Sequence, residues 1–323
     1  AIGYQALKAQ DAGADAYNVA VGYSAGENVS TGVQNTILGS KAGDALTTGN
    51  HNVAIGYAAL GAEDAHGKNV AVGYQALTLL DAGTDAYNVA VGYDNGKAMT
   101  TGVQNTLIGR LAGGSLTTGS YNIAIGHEAL AAEDAHGKNV AIGWLALSDQ
   151  NAGADAFNIA IGYNAGKTMT TGVKNTIVGG LAGDALTIGN NNTALGYLAL
   201  TTSVDGDFNT AIGSSALESY EDGDGNGHNT AVGNSSQLNA STGEFNTSLG
   251  SLSIGSGVTT GDYNVALGFE AGKALTSGQR NVLIGGNAGD ALTTGESNVG
   301  IGHGALSAED GNGSTTAVGY KAL

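Results

Sequence analysis

The sequence predicts an all-β fold, a parallel β-solenoid of about nineteen short coils. Three observations predict it. A five-residue phrase recurs along the whole chain, a glycine closes every copy of that phrase, and large and small residues alternate inside it. Such a fixed repeat is typical of stacked architectures, in which each unit buries its apolar side against its neighbours.

The phrase reads Asn, then Val, Thr or Ile, then mostly Ala, then Ile, Val or Leu, then Gly. Its glycine occurs nineteen times between Gly3 and Gly319, mostly 17 residues apart. A longer period of 70 residues is superimposed, because residues 1–23 are closely matched by 71–93. We therefore predict one repeat domain over 1–323, with three regular 70-residue blocks in 1–208 and a looser continuation in 209–323.

Alternation within the phrase predicts a strand with one bulky and one small face, as in Val19-Ala20-Val21. A second short apolar stretch follows the glycine, as in residues 57–60, and turn-forming residues complete the unit. We expect two short strands and two turns in each coil of a β-roll. At about 4.8 Å for each coil, nineteen coils would give a rod on the order of 90 Å long.

The repeated asparagine is interpreted as a structural ladder, because stacked amides can hydrogen-bond from coil to coil while their backbones hold a turn. A ligand site would not need seventeen copies. The closing glycine is expected either to have a positive φ or to lie against a neighbouring backbone. The ladder is predicted to include Asn18, Asn35, Asn52, Asn69, Asn88, Asn105, Asn122, Asn139, Asn158 and Asn175.

Aromatic residues often follow the closing glycine, and they are absent where the third place of the phrase is large. Ile37, for example, is paired with Ser40, whereas Ala20 is paired with Tyr23. This compensation predicts that both places face one packed compartment. We expect that compartment to lie between chains around a threefold axis, with the core of a single chain or a carbohydrate-stacking surface as alternatives. The aromatic positions are Tyr23, Tyr57, Tyr74, Tyr93, Trp144, Tyr163 and Tyr197.

Composition excludes several classes of function. Eleven Lys and Arg against 28 Asp and Glu give a net charge of −17, which disfavours nucleic acid and anionic lipid surfaces as partners. The absence of cysteine excludes disulfides, thiol catalysis and cysteine-ligated metals. No catalytic set stands outside the repeat, and we expect neither an enzyme nor direct membrane insertion.

Two groups of residues suggest metal chemistry. Asp222, Asp224 and Asn226 alternate with glycines as oxygen donors do in calcium loops, although the glutamate expected twelve places along is absent. Calcium is the one cofactor that the sequence suggests, against an ordinary hydrated turn. His66 and His136 lie in identical EDAHGKN turns, which we interpret as solvated turns copied by duplication.

The segments NVAIGYAAL (52–60), NVAIGWLAL (139–147) and NTAIGSSAL (209–217) resemble the YadA-like head repeats of trimeric autotransporter adhesins. They are equally similar to NTAIGY-type repeats of bacteriophage tail fibres. The resemblance spans every unit. It implies a left-handed parallel β-roll, three chains wound into a rod, an extracellular, cell-surface or virion location, and a role in attachment.

We therefore expect a non-enzymatic structural fibre or adhesin segment, a homotrimer that spaces or presents a surface for a carbohydrate or protein receptor. Because the first and last repeats share one phase, we expect a segment of a longer fibre. The alternatives are a monomeric calcium-stabilised or carbohydrate-binding solenoid module and a filament subunit joined end to end.

Overall fold

The computed structural model describes residues 1–13, 15–221, 226–255, 257–308, 310–311 and 313–323. The chain divides into two compact units, residues 1–157 and 158–323. Each unit is a parallel β-solenoid, so the predicted all-β solenoid class is confirmed. In the described part of the chain, no helical segment has the length and apolarity needed to cross a bilayer.

Every strand is three residues long and occupies the second to fourth places of the phrase. In the first unit the strands are β1 Val19–Val21, β2 Thr36–Leu38, β3 Val53–Ile55, β4 Val70–Val72, β5 Val89–Val91, β6 Thr106–Ile108, β7 Ile123–Ile125 and β8 Val140–Ile142. In the second unit they are β9 Ile159–Ile161, β10 Thr176–Val178, β11 Thr193–Leu195, β12 Thr210–Ile212, β13 Thr230–Val232, β14 Thr247–Leu249, β15 Val265–Leu267, β16 Val282–Ile284, β17 Val299–Ile301 and β18 Thr316–Val318. The incomplete first copy contributes only a bridge between Ile2 and Val21.

Within each unit, every strand pairs in parallel with the next, and equivalent residues stand opposite one another. Ala20 faces Ile37, and Ile177 faces Ala194. This register places every copy of one repeat position in a single row. A sequence position therefore becomes a continuous structural feature of the unit.

The expectation of two strands in each coil was wrong, because the apolar stretch after the glycine is a turn. Ala58 and Leu60 have φ values of 51° and 52°, which a strand cannot contain. The stretch still joins adjacent coils, since the Ala58 N–H donates to the carbonyl of Ser40 and the Leu60 N–H donates to that of Ala76. Backbone hydrogen bonding between coils thus continues outside the sheet.

The core of each unit lies inside its own coils. The middle residue of each strand faces inward, and Ala20, Ile37 and Ala54 have no exposed surface. Where that residue is large, glycines make room for it. A Cβ on Gly113 would lie 2.9 Å from Leu107 Cδ2, and one on Gly96, in the preceding coil, would lie 2.7 Å from Leu107 Cδ1. The large residue at the third place is therefore accommodated within the chain, by glycines of its own coil and of the preceding coil.

The closing glycine meets both parts of its prediction. Gly92 has a φ of 138°, and a Cβ at this position would lie 1.9 Å from the carbonyl oxygen of Gly109 in the next coil. An L-residue would be strained by the backbone angle and would also push the two coils apart. This glycine allows the coils to stack at strand spacing.

We predict that Gly92→Ala lowers the thermal midpoint of unfolding far more than Gly83→Ala. Gly83 also has a positive φ, 66°, but a Cβ there would meet nothing within 4 Å. The control should cost about 1–2 kcal/mol from backbone conformation alone, whereas the Gly92 variant must also displace a neighbouring coil. Circular dichroism melts check this, and equal midpoints for the two variants would contradict it.

Candidate functional site

The outward side of the strands is largely apolar and partly open to solvent. Val, Ile or Leu occupies the third place of every strand, and Thr occupies the first place of eight strands. We call the first and third residues of all the strands the outer sheet face. Ile159 and Ile161 of β9 are each 38% exposed, while Ala160 between them is buried. The large apolar side chains that are exposed on this face are Val19, Leu38, Val91, Ile108, Ile123, Ile159, Ile161, Leu195, Leu249, Ile301 and Val318. β-branched residues that favour strands therefore also form a water-facing apolar surface on each unit.

The predicted aromatic residues lie at one end of the strands, on the surface. We call the residues directly after the closing glycine the first aromatic row. Its members include Tyr23, Tyr57, Tyr74, Tyr93, Trp144, Tyr163 and Tyr197, which are between 43% and 57% exposed. Several stack on the equivalent ring of the next coil, with centroids of Tyr57 and Tyr74 5.3 Å apart and those of Tyr74 and Tyr93 5.1 Å apart.

The structure corrects the prediction that this row and the third place of the phrase share one compartment. Ala20 is buried in the coil, but Tyr23 is 52% exposed. The physical reason is strand alternation. The third place points inward, whereas the second and fourth places and the aromatic residue beyond the glycine point outward. A chain-to-chain contact would involve the outer sheet face and the first aromatic row, without the alanines.

Sequence reasoning missed a second row of rings at the other end of the strands. We call the aromatic residues directly before the phrase asparagines the second aromatic row. Its members are Tyr17, His51, Tyr87, Tyr121 and Phe157 in the first unit, and Phe208, His228, Phe245 and Tyr263 in the second. The last four form a continuous stack with centroids 4.7 to 5.1 Å apart. The sequence feature that could have predicted this row is the recurrence of an aromatic residue directly before the phrase asparagine.

The phrase asparagines form a buried hydrogen-bonded ladder in each unit. Asn105 is typical. Its Oδ1 accepts the backbone N–H of Asn122 at 2.9 Å, and its Nδ2 donates to the carbonyl of Gly119 at 2.9 Å. In the first unit the bonds from Oδ1 to the next backbone N–H connect Asn18, Asn35, Asn52, Asn69, Asn88, Asn105, Asn122 and Asn139. In the second unit they run from Asn158 to Asn175 and on to Thr315. The amides therefore join the backbones of adjacent coils.

The EDAHGKN turns differ from the solvated turns that we expected. Glu63 and Glu133 have no exposed surface, although the histidines beside them are partly exposed. Burial raises the pKa of the Glu63 carboxyl, and the N–H groups of His66 and Ala82 oppose that shift only in part. Burial raises the pKa of Glu133 in the same way. The turns of the first two 70-residue blocks thus each contain a desolvated acid.

Of the three residues suggested for calcium, Asp222 and Asp224 lie outside the described residues. Asn226 is exposed, and its backbone carbonyl accepts a hydrogen bond from the hydroxyl of Tyr220 at 2.8 Å. Among the described residues, no concave pocket of ligand size is formed.

The chain matches no protein-family model and no curated protein.

We predict that Asn105→Ala destabilises the protein by about 2–4 kcal/mol, because two buried backbone groups lose their partners. Asn28→Ala is the matched control. Asn28 also donates to a backbone carbonyl, that of Asp44 at 2.7 Å, but it is exposed and water can replace it. Hydrogen exchange should accelerate at the Asn122 amide in the first variant only. Unchanged protection of that amide would refute the ladder's contribution to stability.

Proposed function

We propose that the chain is a structural fibre or adhesin segment that acts as a homotrimer outside the cell, on a cell surface or on a virion. Its outer sheet face carries the proposal. Soluble monomers seldom expose continuous apolar surface of this kind, and such surfaces usually mark protein interfaces. The threefold symmetry, the left-handed coil and the extracellular location rest on the resemblance to adhesin heads and tail fibres.

The repeat explains why the face suits a long interface between identical chains. In-register stacking continues the aliphatic third place from strand to strand within each unit, so an identical chain can make the same contact at successive coils. Cyclic symmetry would place the same rows of three chains around one axis. In this arrangement the solenoid spaces or presents a receptor-binding surface, and no chemistry is required of it.

A carbohydrate-binding module is the alternative that one observation favours, namely the many exposed rings. Stacking within the chain weighs against it. The ring planes of Tyr74 and Tyr93 differ by only 8°, so much of each face is turned toward a neighbouring ring. Sugars pack against open aromatic faces. We therefore place the rings inside a protein interface, beside the outer sheet face, with receptor binding by any uncovered ring edges as a secondary role.

We predict a solution mass near 95.1 kDa, three times the 31.7 kDa of one chain, with or without chelator. The variant carrying Val91→Lys, Ile161→Lys and Leu249→Lys should shift toward 31.7 kDa, because it places charges on the apolar face. Ile188→Lys is the control, since Ile188 is 50% exposed but lies in a turn outside the strands. Light scattering gives the masses. A wild-type mass of 31.7 kDa refutes the trimer, and a much larger mass indicates an end-to-end filament.

We also predict that the single tryptophan, Trp144, is protected from acrylamide quenching in the native protein. Trp144 is 50% exposed in one chain and belongs to the first aromatic row. A trimer contact over this row would cover it, so the quenching constant should rise several-fold when the triple lysine variant dissociates. Equal quenching of a trimeric wild type and the dissociated variant would show that the interface excludes the first aromatic row.

A further inference from the structure

Two turns of the first unit contain a buried carboxylate oxygen that makes no hydrogen bond. Glu63 has no exposed surface, and its Oε1 accepts the backbone N–H of His66 at 3.2 Å. Its Oε2 is buried and makes no hydrogen bond of normal geometry within the described residues, although the N–H of Ala82 also faces the carboxyl. Glu133 repeats the arrangement with the N–H of His136, also at 3.2 Å, and its Oε2 is likewise unpartnered. Native proteins rarely leave such atoms unsatisfied without a reason.

Other donors converge on the same place. A carboxylate oxygen of each of Glu63, Asp64 and Asp81 and a ring nitrogen of His66 lie within 4.8 Å of one another. In the second turn, Glu133, Asp134 and His136 meet the same condition. Nδ1 of each histidine is buried without a hydrogen-bond partner, 3.8 Å from the Oε1 of its glutamate. Each turn therefore brings together a buried acid, at least one further carboxylate and an imidazole whose Nδ1 is unpaired.

We propose that each of these two turns binds one divalent cation, either zinc or a neighbouring transition metal. A cation bound among these donors would neutralise the buried carboxylate and take the carboxylate and the imidazole as ligands. Mixed carboxylate and imidazole donors suit zinc and neighbouring transition metals, which take three or four protein ligands. Calcium and magnesium take oxygen ligands, calcium six to eight of them, so they are less suited to this set.

The 70-residue period supplies an internal comparison. The third block has Ser203, Val204 and Gly206 at the places of Glu133, Asp134 and His136. It retains the coil but none of the three donors. We therefore expect two cations for each chain, although each of the three regular blocks has a turn at this place.

The two sites also differ in strength. Asp81 of the first site corresponds to Asn151 in the next block, so the second site lacks one carboxylate. A third carboxylate, as the fourth ligand, should make the Glu63 site the tighter of the two. The side chains needed at both sites belong to residues 63–81 and 133–136 of a single chain, so the inference does not depend on trimer formation.

The test is zinc titration of the full chain after chelator treatment, with zinc chloride followed by calorimetry and the bound metal counted after dialysis. Wild type should bind two zinc ions for each chain, and its thermal midpoint should rise with zinc. Glu63→Gln should retain one ion at the weaker site, and the variant carrying both Glu63→Gln and Glu133→Gln should retain none. Asp11→Asn, which removes one exposed charge from a turn, should still bind two.

A second readout keeps the proposal falsifiable if a glutamine variant folds poorly. Cobalt in place of zinc should give visible absorption bands that change when the partly exposed His66 and His136 are replaced by asparagine. Wild-type binding of no zinc, or the same binding in the double glutamine variant that is folded by circular dichroism, would overturn the proposal. Calcium that binds the two turns more tightly than zinc would overturn the assignment of cation class.

Discussion

In-register stacking of one coil on the next is the constraint on which the rest of the structure depends. Three-residue strands are too short to persist alone, and each gains its backbone partners from the coils before and after it. Stacking at strand spacing requires that the backbone at the closing glycine approach the next coil without a Cβ between them. The asparagine ladder then uses a side chain to satisfy the backbone N–H that directly precedes each strand.

Register also explains why the chemistry of the surface appears in rows. A tyrosine chosen at one place of the repeat stacks on its copy in the next coil, as Tyr57 does on Tyr74. The same rule extends the apolar outer sheet face along each unit. Positive φ angles at turn residues such as Ala58 are needed to return the chain to the next strand, and hydrogen bonds between coils hold them there. A periodic sequence thereby becomes an extended surface suited to a periodic partner, of which another copy of the chain is the simplest.

The turns are the part of the repeat that can vary without disturbing the stack. Equivalent coils of different blocks can have different turn residues. His66 of the first block, for example, corresponds to Gly206 of the third. Burial of Glu63 beneath such a turn shows that variation can also create a desolvated polar environment. Functions added to a solenoid of this kind are therefore expected in its turns, while the strands hold the stack of coils together.

The sequence by itself determined the solenoid, its period, the phrase strands and the asparagine ladder, because these follow from periodicity and local backbone chemistry. The second predicted strand failed because left-handed φ values at residues such as Leu60 are imposed by chain closure and leave no mark on the apolar pattern. Only the tertiary structure decided which side of the coil is inside. Gly96 and Gly113 make room for Leu107 in the core, while Tyr23 remains on the surface. The burial of Glu63 could not be predicted from the sequence either. Its turn is hydrophilic in sequence, and only the packing of adjacent coils around it buries the side chain.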